Sequence, residues 1–103
     1  MFLATTNSIE GKPSIETLGL VRGNTIRARH VGRDIMAGLR TLVGGEIKEY
    51  TVMLDQARDQ ALERMKSQAE KLGANAVVGV RFTTSQTMSG AAEILAYGTA
   101  VRV

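Results

Sequence analysis

Few residues in this chain could do chemistry, and they are unevenly placed. His30 is the only histidine and there is no cysteine. Soft-metal sites need several imidazole or thiolate donors. Within one chain His30 therefore reads as a strand-end histidine bonded locally, entering a metal site only if symmetry gathers several copies around an axis. Arg22, Arg27, Arg29 and Arg33 surround it. Such a cluster attracts phosphate or nucleic acid, but no aromatic residue is interleaved, so base stacking is not indicated. Its bland role is a solvated or ion-paired surface; a small-anion site is the functional alternative. In "GGEIKEY" two glycines precede a helix start, a place where anions bind, yet the Lys-Ser/Thr of a phosphate loop is missing. "LGANAVVG" runs from helix into strand, the reverse of a dinucleotide-binding turn. Spacing reveals no nucleophile–His–acid set, and Asp55, Asp59 and Glu63 fit a solvated helix face. An enzyme is not expected. A cleft between copies holding Asp34, Tyr50 and Arg58 is the arrangement that would revive one.

The elements that must position these residues are bounded by composition. The 103 residues fit one domain, 44% apolar but only 4% aromatic, so the core must be built largely from Ala, Val, Leu and Ile. A chain this small buries a limited share of its surface, and association with its own copies would ease that limit. Zero cysteines exclude disulfides and agree with a reducing cytoplasm. "MFLATTNSIEGK" lacks the basic start and apolar length of a signal peptide. No run approaches the roughly 18 apolar residues of a membrane span. The expectation is a cytoplasmic protein with no membrane partner. The net charge of +3 is uneven: residues 1–40 hold six basic and three acidic groups, residues 41–72 five and six.

Along the chain, turn chemistry at Gly11-Lys12-Pro13 predicts two short flanking strands, with Gly19 a bulge in the second and Gly23-Asn24 a further turn. From Thr25 to Val31 alternation sets Ile26, Ala28 and His30 against Arg27 and Arg29. The period then becomes helical through Ile35, Met36, Leu39, Leu42 and Val43. Gly44-Gly45 stops that helix and permits a sharp change of direction. A second helix runs from about Glu46 to Leu72, with acidic Glu46 and Glu49 at its start and Lys66 and Lys71 near its end, both suited to its dipole. Asp55–Arg58 and Lys66–Glu70 have neighbour spacing, and Leu72-Gly73 is a stop signal.

This second helix is long, roughly 37–40 Å, against a radius of gyration of about 13 Å for a compact chain of this size. Its apolar stripe comprises Ile47, Tyr50, Leu54, Ala61, Leu62, Met65, Ala69 and Leu72. Arg58 falls inside the stripe, where a charge needs a partner such as Asp34 or must snorkel to the edge. Val52 and Met53 lie off the stripe and suggest a subunit contact. The last thirty residues read as a long hairpin turning near Ser89-Gly90, pairing Phe82 with Tyr97. Gly79, Ala96, Gly98 and Ala100 would form a face of small residues open to close approach.

The segments "TTNSIEGK", "LGLVRG", "GRDIMAGLRTLVGGEIKEY", "ARDQALERM", "LGANAVVGVRF" and "YGTAV", in this order, span essentially the whole chain. Together they resemble the YbjQ-like proteins, a widespread bacterial and archaeal family labelled for heavy-metal binding. The resemblance implies an α+β, dodecin-like subunit: a two-layer arrangement of an antiparallel sheet against a short and a long helix, within a ring-shaped homopentamer. Positions matching the family's motifs are Arg33, Asp34, Arg40, Gly44, Gly45, Tyr50, Ala57, Arg58, Gly73, Ala74, Gly79, Gly98 and Thr99. Family members often carry small or apolar residues where this chain has Arg27, Arg29 and His30.

The functional expectation is a non-enzymatic homo-oligomer that binds or scaffolds. Arg27, Arg29, Arg33, Asp34, Tyr50 and Arg58 are its candidate binding residues and Val52 and Met53 its candidate interface. Gly44, Gly45, Gly73, Gly79 and Gly98 are structural. No cofactor is expected. Heavy-metal binding is one alternative; a small anion or nucleic acid held by an arginine-lined ring is the other, with nucleic acid disfavoured.

Overall fold

A computed structural model of the chain describes residues 1–28, 48–88 and 91–103. Among these residues four strands and one long helix are formed: β1 (Phe2–Leu3), β2 (Glu16–Ala28), the long helix (Lys48–Lys71), β3 (Ala76–Met88) and β4 (Ala91–Arg102). The sheet order is β1-β3-β4-β2. β3 and β4 pair antiparallel, as do β2 and β4, whereas β1 runs parallel to β3. The sheet is therefore mixed, not purely antiparallel. The architecture is α+β, with the long helix against one sheet face. The shorter helix expected around Ile35–Val43 and the paired glycines Gly44 and Gly45 lie outside the described residues.

The long helix packs through a narrow line of residues four apart. Ala57, Ala61, Met65 and Ala69 are completely buried. They meet Val21, Val77, Val80, Ile94, Ala96 and Ala100 of the sheet, with Leu18, Leu54, Leu62 and Ala74 packed around them. Alanine at three of the four positions lets the helix lie close to β2. Gly23 marks the closest approach: a Cβ there would fall on the backbone of Ala61 and Met65. This corrects the turn expected at Gly23-Asn24, because β2 runs straight through both residues. Glycine is needed there because no side chain fits beneath the helix.

The helix ends as its sequence predicts. Gly73 has φ +84°. Ala74 N donates to Ala69 O at 3.1 Å and Gly73 N to Glu70 O at 3.0 Å, satisfying two carbonyls of the last turn. The bulge expected at Gly19 is present as a register shift between Thr17 and Gly19. A second shift between Val78 and Arg81, with Gly79 at φ +62°, breaks the simple alternation in β3. Val77 and Val80 consequently face the helix, while Val78 joins Ala76 and Val101 in a smaller cluster on the opposite face, capped by Ile9 and Val103. The bulge also moves the hairpin register by one: Tyr97 pairs with Arg81, and Phe82 with Ala96. Gly79 therefore leaves the expected small-residue face, whereas Gly98, Ala96 and Ala100 stay buried on the helix side. Gly98 is pressed by Val77, whose Cγ1 would lie 2.7 Å from an added Cβ.

The N-terminal fifteen residues make a loop across the foot of the sheet. Phe2 N, Ala4 N, Gly79 N and Val80 N bond across β1 and its continuation to β3. The turn near Gly11 forms with an isolated bridge between Ile9 and Lys12; of the two strands expected to flank it, the second forms as β2, while residues 4–8 before it are not a strand. The principal extents are 53 × 25 × 16 Å and the radius of gyration is 16.8 Å, well above the roughly 13 Å of a compact chain of 100 residues.

Candidate functional site

Among the described residues the sheet face away from the helix is only partly covered. Cross-strand pairing places Leu20, Arg22, Asn24 and Ile26 of β2 on this face. Their β4 partners are Thr99, Tyr97, Leu95 and Glu93, and Arg81, Thr83 and Ser85 of β3 complete the rows. The foot of the face is closed by Ile9 and Val103. Above it Leu20 is 72% and Ile26 57% exposed, with Tyr97 also exposed. Arg81 is turned back, its Nη1 donating to Thr5 O at 2.7 Å and to Val80 O at 2.8 Å. Asn24 Nδ2 donates to Glu93 Oε2 at 3.1 Å. The result is a surface of apolar residues interleaved with polar groups, suited to contact with another protein surface.

The two long sheet edges differ. At β2 the helix lays a polar row of residues four apart over the outward backbone groups. Arg22 N donates to Gln68 Oε1 at 2.7 Å, and Arg64 Nη1 donates to Asn24 O at 2.6 Å. Further along, Thr25, 3% exposed, donates from Oγ1 to Gln60 Oε1 at 2.5 Å. The same Gln60 oxygen accepts from Arg27 Nη2 at 3.3 Å. Gln60, Arg64 and Gln68 were legible only as a solvated helix face; their i, i+4 spacing was the available signal.

Arg27 is thereby spent inward. It sits on the helix side of β2, half-buried, and its Nε is buried without a hydrogen-bond partner. Its bond to Gln60 ties the end of β2 to the helix. Arg58 takes the edge position that its sequence offers as one alternative. Its side chain is half exposed and pairs with Asp55 at 3.2 Å, at the neighbour spacing expected of them. The inward position is Ala57, so Arg58 has snorkelled off the stripe. Lys66 pairs with Glu63 at 3.0 Å rather than with Glu70. Leu72 is 45% exposed, outside the buried line. Val52, 54% exposed, and half-buried Met53 lie near the helix start. Tyr50 belongs to the helix's first turn. Arg29, His30, Arg33, Asp34 and Arg40 lie outside the described residues.

A metal centre is not built by the described residues: among them no three His, Cys, Asp or Glu side chains come together. No helix among them is long and apolar enough to cross a membrane.

Comparison with known proteins agrees with this fold. Proteins named UPF0145 from Methanosarcina acetivorans, Archaeoglobus fulgidus and Halorubrum lacusprofundi are 60%, 62% and 63% identical to the chain. In each case the match covers 100% of this chain and 97%, 95% and 99% of the relative. A crystal structure of a protein of unknown function from Pediococcus pentosaceus, assigned to the DUF74 family, superposes with a TM-score of 0.67 at 20% identity. It covers 100% of this chain and 97% of that one, and so shares the fold. The family model described as "Putative heavy-metal-binding" matches residues 1–103. With curated relatives near 60% identity over its full length, the chain belongs to the YbjQ-like, UPF0145 family.

Proposed function

We propose that the chain works as a non-enzymatic homo-oligomer, a five-membered ring, that binds or scaffolds a ligand rather than transforming it. The observation that carries this reading is the half-covered sheet. One face is closed by the helix, while the other leaves Leu20 and Ile26 at 72% and 57% exposure beside Tyr97. Scattered exposed apolar residues are ordinary; here they share one face of one sheet, which is the mark of a contact surface. Val52 on the helix and the elongated outline support the same reading. The number five comes from the resemblance to YbjQ-like proteins.

An arginine-ring reading loses support because Arg27 faces the helix and bonds Gln60. A metal reading would need His30 and carboxylates from several copies, since the described residues offer no donor group.

Assembly couples folding to concentration by mass action. The thermal midpoint of the wild-type chain should therefore rise steadily over a hundredfold increase in protein concentration. A midpoint independent of concentration would reject self-assembly.

A further inference from the structure

We propose that residues 2–14 form a strap that lifts from the foot of the sheet as a unit while the rest of the fold stays closed, and that Arg81 is its latch. The inference does not depend on the self-assembly proposed above; it concerns how much of the open sheet face a single chain displays.

The strap is held almost wholly by polar bonds at the surface. Phe2 N donates to Asn75 O at 3.1 Å and Ala4 N to Val77 O at 3.0 Å. In return Gly79 N donates to Thr6 O at 2.8 Å and Val80 N to Ala4 O at 3.0 Å. Arg81 Nη1 donates to Thr5 O at 2.7 Å. The chain then turns away, with Thr6 Oγ1 donating to Ser8 O at 2.6 Å and Lys12 N to Ile9 O at 3.0 Å. Lys12 Nζ lies 4.8 Å from the centre of the Phe2 ring, so the strap closes on itself. Main-chain bonding to the sheet resumes at Ile15, whose N–H reaches Arg102 O at 2.7 Å.

Hydrophobic anchorage is slight. None of residues 2–14 is buried, and only Ala4 and Ile9 are half-buried. Ile9 supplies the strap's contact with the cluster of Ala76, Val78 and Val101 beneath it. Ordering so long a segment costs conformational entropy, and bonds open to water return little of it. Few apolar contacts and many exposed backbone bonds mark a unit that opens below the free energy of global unfolding. The helix side of β3 differs. Val77 is completely buried there and Val80 nearly so, both packed into the main core. β3 therefore stays in place when the strap leaves. Arg81 ties the two together by its side chain, and a second bond, to Val80 O at 2.8 Å, fixes the guanidinium where the strap departs. Lifting the strap uncovers Val78 and extends the face that carries Leu20 and Tyr97 down to the foot of the sheet.

Native-state hydrogen exchange on the wild-type protein tests this. The Val80 side chain packs in the main core but its amide is bonded to the strap, whereas buried Ala96 lies in the central strand β4. Relative to an unstructured chain, the amides of Ala4, Gly79 and Val80 should exchange at one common level, at least about tenfold faster than that of Ala96. Exchange of Val80 within about tenfold of Ala96 overturns the strap's independence. Arg81→Ala should speed the three strap amides by about threefold or more and leave Ala96 unchanged. An equal change at Ala96, or none at any of them, overturns the latch. Because the chain has no cysteine, Val78→Cys is a unique reporter of uncovering. Its thiol should react with iodoacetamide at least about tenfold faster than that of Val77→Cys on the helix side, and equal rates overturn the uncovering. Should either cysteine variant fail to fold, the wild-type exchange pattern decides.

Discussion

Replacing Gly23 with alanine should be among the most damaging single-methyl changes in this chain. The added Cβ would fall on Ala61 O and Met65 N, with the Arg64 carbonyl carbon 2.8 Å away. All three are backbone atoms inside a helix, so no side-chain rotation relieves the overlap. Ordinary carbon contacts lie near 3.5–4.0 Å, so the helix must withdraw by roughly an ångström. That withdrawal loosens Ala57, Ala61, Met65 and Ala69, all completely buried, from their sheet partners. Overpacking of this kind costs about 1–3 kcal/mol, and the rigid backbone places Gly23→Ala at the upper end. Stretching the Gln68 and Arg64 bonds to β2 adds up to about 1 kcal/mol. A total near 3 kcal/mol corresponds to a fall in thermal midpoint of roughly 12–24 °C for a domain of this size. The assay is urea and thermal unfolding at equal protomer concentration. Asn24→Ala is the neighbouring control; it loses only an exposed bond to Glu93. A Gly23→Ala protein within about 0.5 kcal/mol of wild type would refute the close helix–strand approach.

Met65→Ala, at the largest completely buried side chain among the described residues, should destabilise by about 2–5 kcal/mol through lost transfer energy and the cavity left behind, read by the same unfolding curves. Gly73→Ala must hold a non-glycine residue at φ +84° in the helix cap; it should cost about 1 kcal/mol, and a neutral result would mean the cap is not left-handed. Arg58→Ala removes a half-exposed pair with Asp55 and should change stability by no more than about 0.5 kcal/mol; a larger loss would show that Arg58 has a buried partner.

Local signals carried much of the fold. The stop at Gly73, the Gly19 bulge and the β3–β4 hairpin were legible because one residue type and its immediate neighbours determine each. The errors arose where the deciding contact was distant in sequence. Gly23-Asn24 has the composition of a turn, but Gly23 is required by a helix about forty residues away, and missing side chains serve both needs. The bulge at Gly79 displaced the hairpin register by one, since alternation alone does not reveal where an extra residue enters. The helix stripe was read with Arg58 inside it; the small size of Ala57 hid the true inward position. β1 has two residues and its parallel pairing leaves no periodic trace. The edge protection by Gln60, Arg64 and Gln68 looks like ordinary surface polarity until β2 is seen beside it. Among the proposed site residues, Arg27 was correctly placed opposite Ile26, but which face the helix covers could not be read from alternation. Its half-buried place on the helix side follows from that packing.

The measurement that bears most directly on self-assembly is the absolute mass in solution, by light scattering across a dilution series from about one hundred to below one micromolar. The account predicts a particle several times the 11.1 kDa of one chain, with five chains the expected number. A particle of 11.1 kDa throughout would mean that the open sheet face serves no second copy.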